Sequence, residues 1–174
     1  MSKSSKEAVK TDEIKVLNIM EQHAKENINE IAKKCGLSPQ KVARIIKHLE
    51  ENKIIWGYSA IADGTLRDFK HFVLLVKRNT VPFDASFKKE VVFEKLDNYQ
   101  PGVSNIEDIF LTHGSFDGVI TFYAPNLIGA KNLVQEISQR IGKYFKEYLL
   151  LETLFPIRKK GINNPQIKEL VEYL

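Results

Sequence analysis

The chain has 174 residues, enough for one ordinary domain or two small ones sharing stability, and its 43% apolar and 28% charged residues are those of a globular protein. A single cysteine, Cys35, excludes an internal disulfide framework and points to a reducing compartment. With no apolar run of about 18 residues and no apolar core in the opening MSKSSKEAVK, a membrane span and a secretory signal are not expected and a cytoplasmic location is. The net charge of +4 allows an anionic partner, and its distribution says where: residues 1–70 carry +3, residues 71–157 carry −1, and the tail from Arg158 carries +2, so a polyanion would meet the N-terminal segment rather than the middle.

In chain order, residues 1–10 read as a short disordered arm. Thr11 can cap a helix whose first turn, Asp12 and Glu13, suits the positive end of its dipole, with Ile14, Leu17 and Met20 as its apolar stripe. A second helix is expected after Asn29, with Ile28, Ile31, Ala32 and Cys35 at helical spacing and Gly36 as its left-handed end. Ser38 then caps a third helix with Pro39 in its first turn, and Val42, Ile45, Ile46 and Leu49 form its buried face. Two helices joined by so short a glycine turn are the helix-turn-helix pattern. The β-rich run from Lys53 to Ile61 reads as a strand or hairpin, a wing, which closes a DNA-binding domain over residues 11–61. The polar stretch 62–70 reads as a linker.

The second half, residues 71–157, alternates β, α, β, β, α, β. Strands are expected at His71–Lys77, Val103–Thr112, Gly118–Ala124 and Tyr148–Ile157. One helix is capped by Asp84 and carries Phe87, Val91 and Leu96; another is capped by Asn126 and carries Leu133, Ile137 and Ile141, and Pro101-Gly102 breaks the chain between them. That order is the ferredoxin-like arrangement, and the fold class is α+β. Residues 158–174 form an extension whose Ile167, Leu170, Val171 and Leu174 mark a short amphipathic helix; its Arg158-Lys159-Lys160 reads as a solvated run.

The third helix carries the chemistry. Between Ile31 and Leu49 there are five Lys or Arg and no Asp or Glu. A duplex phosphate lattice attracts cations and repels carboxylates, and the first turn of a helix in the major groove reaches base edges. Gln40, Lys41 and Arg44 are the candidate base readers, since Gln bonds adenine and Lys or Arg bonds guanine. Lys33, Lys34, Lys47 and His48 are candidate phosphate contacts, and Ser38 opens the helix at the same surface.

The run CGLSPQKVARIIKHLEENKIIWGYSA, with its Gly-Leu-Ser turn and Ile-x-Gly-Tyr wing, together with PGV at Pro101–Val103 and GSFD at Gly114–Asp117, resembles the leucine-responsive and asparagine-responsive (Lrp/AsnC) family of prokaryotic transcription regulators. The resemblance covers residues 11–157 and implies a winged helix-turn-helix followed by a βαββαβ effector domain. Such a protein binds double-stranded DNA as a dimer, or as a tetramer or octamer, with a small molecule such as an amino acid bound at the loop between the central strands. Gly114 and Asp117 match that effector loop, with Thr112 and Ser115 beside them; the residue before the glycine, commonly Thr in amino-acid-responsive members, is His113, a departure that bears on selectivity.

No enzyme signature accompanies these motifs. The four histidines, His23, His48, His71 and His113, have no metal-ligand spacing with Cys, Asp or Glu; there is no phosphate-binding loop, no dinucleotide fingerprint and no nucleophile elbow, and no cofactor is expected. Two alternatives stand beside the regulator: an enzyme resembling the siroheme decarboxylases, which share the two-domain fold, and a non-specific architectural DNA-binding protein. His113 and Asp117 are the pair that could carry acid–base chemistry.

Overall fold

The computed structural model describes residues 3–62, 64–93 and 105–173. The chain divides into two units, one of residues 1–61 with 157–174 and the other of residues 62–156.

In the first unit, helix α1 runs Lys3–His23, α2 Ile28–Cys35 and α3 Pro39–Glu51. The expected arm is helical from Lys3, and the Thr11 hydroxyl donates to the Glu7 carbonyl within α1 instead of capping it. The side chain that opens α2 is Asn27, not Asn29. Its Oδ1 accepts from Glu30 N–H at 3.1 Å while the Glu30 carboxylate accepts from Asn27 N–H at 3.3 Å, a capping box that satisfies two orphan donors. Gly36 takes φ 65°, and Leu37 N–H donates to the Ala32 carbonyl at 3.0 Å, which ends α2 as expected. Ser38 caps α3, accepting from Lys41 N–H at 3.3 Å, with Pro39 in the first turn where a missing N–H costs nothing.

These helices bury Val16, Met20, Ile31, Ala32, Val42, Ile45 and Leu49 together. The stripe of α1 differs from the expected one: Val16 is fully buried and Ile14 is exposed, because the helix is rotated to meet α2 and α3. Cys35 packs at the edge of this core, where burial pushes its thiol up. The run Lys53–Ile61 contains no strand; it leaves α3 through Lys53, at φ 58°, bends at Ile54-Ile55 and continues as irregular chain. Its Tyr58 hydroxyl folds back to donate to the Glu50 carboxylate at 2.7 Å; partial burial first, and this bond second, hold the phenol up at about 12.

In the second unit, a 3-10 turn at Thr65–Arg67 stands in the expected linker. Strands β1 Lys70–Arg78, β2 Asn105–Leu111, β3 Gly118–Ala124 and β4 Phe145–Glu152 form one antiparallel sheet in the order β2-β3-β1-β4. Helix α4, Ala85–Lys88, capped by Asp84, runs into a wider turn at Lys89–Phe93; helix α5, Leu127–Ile141, is capped by Asn126. The order and connectivity are ferredoxin-like. Phe72, Leu74, Val76, Ile120, Phe122 and Phe145 face α5, which buries Ala130, Leu133, Ile137 and Ile141 against them. The last strand starts three residues earlier than the apolar run suggests and stops at Glu152; Leu154 is 85% exposed, and Pro156 has no N–H for a ladder. Leu96, Pro101-Gly102-Val103 and Leu174, read above as helix, break and tail positions, lie outside the described residues.

The extension holds an element the sequence reading missed. Strands β5 Arg158–Lys159 and β6 Ile162–Asn163 pair antiparallel across a two-residue turn, Lys160 at φ 46° and Gly161 at φ 83°. Positive φ at both positions is what a type I′ hairpin requires. Helix α6, Ile167–Leu170, follows.

Candidate nucleic-acid interface and effector loop

Helix α3 turns Val42, Ile45 and Leu49 to the core, and helical spacing therefore puts Gln40, Arg44 and Lys47 on one exposed stripe. Lys33 is exposed at the end of α2. Gln40, Arg44 and Lys33 have no ion-pair or side-chain hydrogen-bond partner among the described residues, and Lys47 is only loosely paired, 3.8 Å from Glu51 in the next turn.

The remaining sequence-derived candidates are engaged within the protein. Lys41 Nζ lies 2.5 Å from the Asp12 carboxylate of α1, and His48 Nε2 lies 3.5 Å from Glu13 of the same helix. Lys34 is paired with Glu26, and the Ser38 hydroxyl is occupied as the cap of α3. Asp12 and Glu13, read from the sequence as first-turn residues of α1, are thus mid-helix groups that cancel part of the charge on α3. The signal for this was present in their acidity; what was missing was the rotation of α1.

The loop between β2 and β3 is tied down by its own polar groups. Thr112 N–H donates to the Asp117 carbonyl at 2.9 Å, and the Thr112 hydroxyl donates to the Phe116 carbonyl at 2.8 Å. Asp117 N–H donates to the Val76 carbonyl and Asp117 Oδ2 accepts from Arg78 N–H, each at 2.9 Å. Asp117 therefore clamps the loop to the end of β1, where the β1–β4 register shifts, and has only part of its acceptor capacity left for a ligand. His113, Gly114 and Ser115 form the exposed tip, with Gly114 at φ 154°. No hydrogen bond joins His113 to Asp117 among the described residues. The cavity bordered by the flanking strands, between Val76, Phe87, Ile109, Phe110, Leu111 and Gly118, has a volume of about 20 Å³, room for about one water. No group of three or more His, Cys, Asp or Glu among the described residues could hold a metal ion.

On the sheet face turned away from α5, side chains fall into cross-strand rows: Phe110, Val119, Leu75 and Leu149 in one, Asp108, Thr121, Val73 and Leu151 in the next. Phe110 is 52%, Leu149 41% and Leu151 44% exposed, so this face carries apolar area that its own helices do not cover.

A short-turned helix pair that presents a cationic stripe, joined in one chain to a βαββαβ unit, defines a helix-turn-helix DNA-binding protein with a second, ferredoxin-like domain. A model of winged helix-turn-helix DNA-binding domains matches residues 13–55. The leucine-responsive regulatory protein of Haemophilus influenzae is 29% identical over 117 residues, 67% of this chain and 67% of that protein. Two solved structures share the fold: a transcriptional regulator from Neisseria meningitidis in complex with L-Met, with a TM-score of 0.64 at 15% identity over 91% of this chain and 97% of that one, and an AsnC family transcriptional regulator from Agrobacterium tumefaciens, with a TM-score of 0.64 at 18% identity over 90% and 97%. The chain is similar to the leucine-responsive/asparagine-responsive (Lrp/AsnC) family of transcription regulators, and its first unit carries a winged helix-turn-helix DNA-binding domain. No helix among the described residues is long and apolar enough to cross a membrane.

Proposed function

We propose that the protein reads a pseudo-palindromic DNA site as a two-fold dimer, with Gln40 and Arg44 on base edges and Lys33 and Lys47 on phosphates. The observation that carries this reading is Arg44: exposed, without a partner among the described residues and central on the polar stripe of α3, in a position where a guanidinium can bond guanine bidentately. Lys41 and His48 are secondary, because contact with DNA would first have to release them from Asp12 and Glu13. The apolar rows through Leu75 and Val73 supply the dimer contact, since such a face stays soluble by meeting its copy. This regulator acts without catalysis of its own. The turn that could have hosted an acid–base pair spends Asp117 on the Arg78 backbone.

A small-molecule effector, an amino acid being the first candidate from the L-Met complex of the Neisseria relative, binds at Thr112–Asp117. Within one protomer that loop is an exposed tip beside a water-sized cavity, so the pocket is completed by a neighbouring copy. Gly114 then supplies the close approach of backbone N–H groups to a carboxylate.

Selection of bound sequences from a random duplex pool tests the first part: an enriched motif with two-fold symmetry is expected, and binding without enrichment would favour an architectural protein instead. Arg44→Ala should cost about 1–3 kcal/mol of discrimination at one base pair while leaving the oligomer intact. Sedimentation with a panel of amino acids tests the second; no change in size or DNA affinity with any of them removes the effector site.

A further inference from the structure

The wing is missing from its expected place, and a basic hairpin stands in the same unit. Residues Lys53–Ile61 form no strand, whereas Arg158–Asn163, about a hundred residues later in sequence, form a closed β-ribbon that clusters with the three-helix unit and not with the sheet domain. Lys160, at the ribbon's tip, lines one groove with Leu17 and Met20 of α1 and with Trp56 and Tyr58, the segment that leaves α3. That is the neighbourhood a wing would occupy.

The charge pattern of the ribbon repeats that of the recognition segment. From Thr153 to Lys168 there is no carboxylate, while Arg158, Lys159 and Lys160 are consecutive. Arg158 and Lys160 are exposed. Arg158 spends only its Nε on the Asn163 side chain, at 2.7 Å, which orders the guanidinium and leaves its two terminal nitrogens outside that bond. The turn at Lys160-Gly161 and the Asn164 N–H to Ile157 carbonyl bond of 2.9 Å preorganise the backbone, so little ordering entropy is spent on binding. Along α1, Glu13 beside His48 and Glu21 beside the groove are separated by roughly 12 Å at 1.5 Å per residue, a distance shorter than half a turn of duplex.

We propose that the Arg158–Asn163 hairpin serves as the wing of this protein and holds duplex phosphates flanking the base pairs read by α3. The occupant is double-stranded DNA, held through its backbone and without base preference. The inference rests on the DNA-binding reading above, and the test separates the two. With a long random-sequence duplex as probe, affinity is measured against salt for wild type, for Arg158→Gln with Lys160→Gln, and for Arg44→Ala, with thermal melts of each. The hairpin variant should keep the wild-type melting profile and show a salt slope shallower by about 0.9 for each phosphate contact removed. An unchanged slope overturns the hairpin's role while leaving the role of α3 intact; wild type that binds no duplex overturns both. Lysine acetylation of the unmodified protein with and without the same duplex gives a second readout independent of folding. Protection of Lys160 alongside Lys33 supports the wing, and protection of Lys33 alone overturns it.

Discussion

The carboxylate of Asp12 on α1 holds the ammonium of Lys41 on α3 at 2.5 Å, across 29 residues of sequence. Asp12 is 16% exposed and Lys41 39%, so the pair lies at the border of the core and the polar face. It links α3 to α1 beside their shared core and compensates one cation on the polar face of α3.

That pair sets opposite expectations for its two members. Lys41→Ala should leave the salt slope of DNA binding close to wild type, because the ammonium is already neutralised. Asp12→Ala should release Lys41 and steepen the slope by about 0.9, with a stability loss below about 1 kcal/mol for a half-exposed pair. Affinity measured across a salt series, with melts in parallel, checks both; a slope that falls with Lys41→Ala and stays flat with Asp12→Ala would refute the arrangement.

Lys53 occupies the left-handed position after α3, at φ 58°, where a side chain is strained. The chain needs that conformation so that Ile54 N–H can reach the Leu49 carbonyl at 2.9 Å and end the helix. Lys53→Gly should raise stability by about 1 kcal/mol, visible as a higher melting temperature of the DNA-binding unit.

Gly118 opens β3 directly after the loop that joins it to β2, and a Cβ there would lie 2.8 Å from Cγ2 of Val76 on the neighbouring strand. Val76 is buried, so the contact cannot be relieved by swinging into solvent. Gly118→Ala should destabilise the sheet domain by about 1–3 kcal/mol. Gly36→Ala makes a useful comparison: it meets no neighbouring atom, so any loss there comes from its φ of 65° alone. Denaturant midpoints of the two variants separate the causes.

Asp84 caps α4 and accepts from three donors. The Tyr144 hydroxyl at 2.5 Å is the largest influence, then Phe87 N–H at 3.0 Å, then the Lys143 ammonium at 3.1 Å, and together they hold its carboxyl well below the ordinary carboxylate range. A depressed acid contributes stability that is present above its unfolded pKa and lost as pH falls through the folded value. The advantage of wild type over Asp84→Asn should therefore be full at neutral pH and shrink through the acid range. Urea midpoints at neutral and acid pH check this; a gap independent of pH would mean that the bonds hold without the charge.

The sequence alone settled what is local. Gly36, Ser38 and Pro39 declare one helix end and the next start within four positions, and the spacing of Val42, Ile45 and Leu49 assigns the faces of α3. In the second half, alternating strands and the caps Asp84 and Asn126 give the βαββαβ order, because period-two and helical patterns reflect geometry within a few residues. Tertiary structure decided what depends on how those pieces rotate and meet. The turn of α1 that buries Val16 and brings Asp12 to Lys41, the use of Asp117 as a clamp on β1, and the return of the Arg158–Asn163 ribbon to the DNA-binding unit join residues far apart in the chain. A sequence pattern shows that a side chain is charged or apolar; which partner satisfies it is determined only when distant elements compete for the same space.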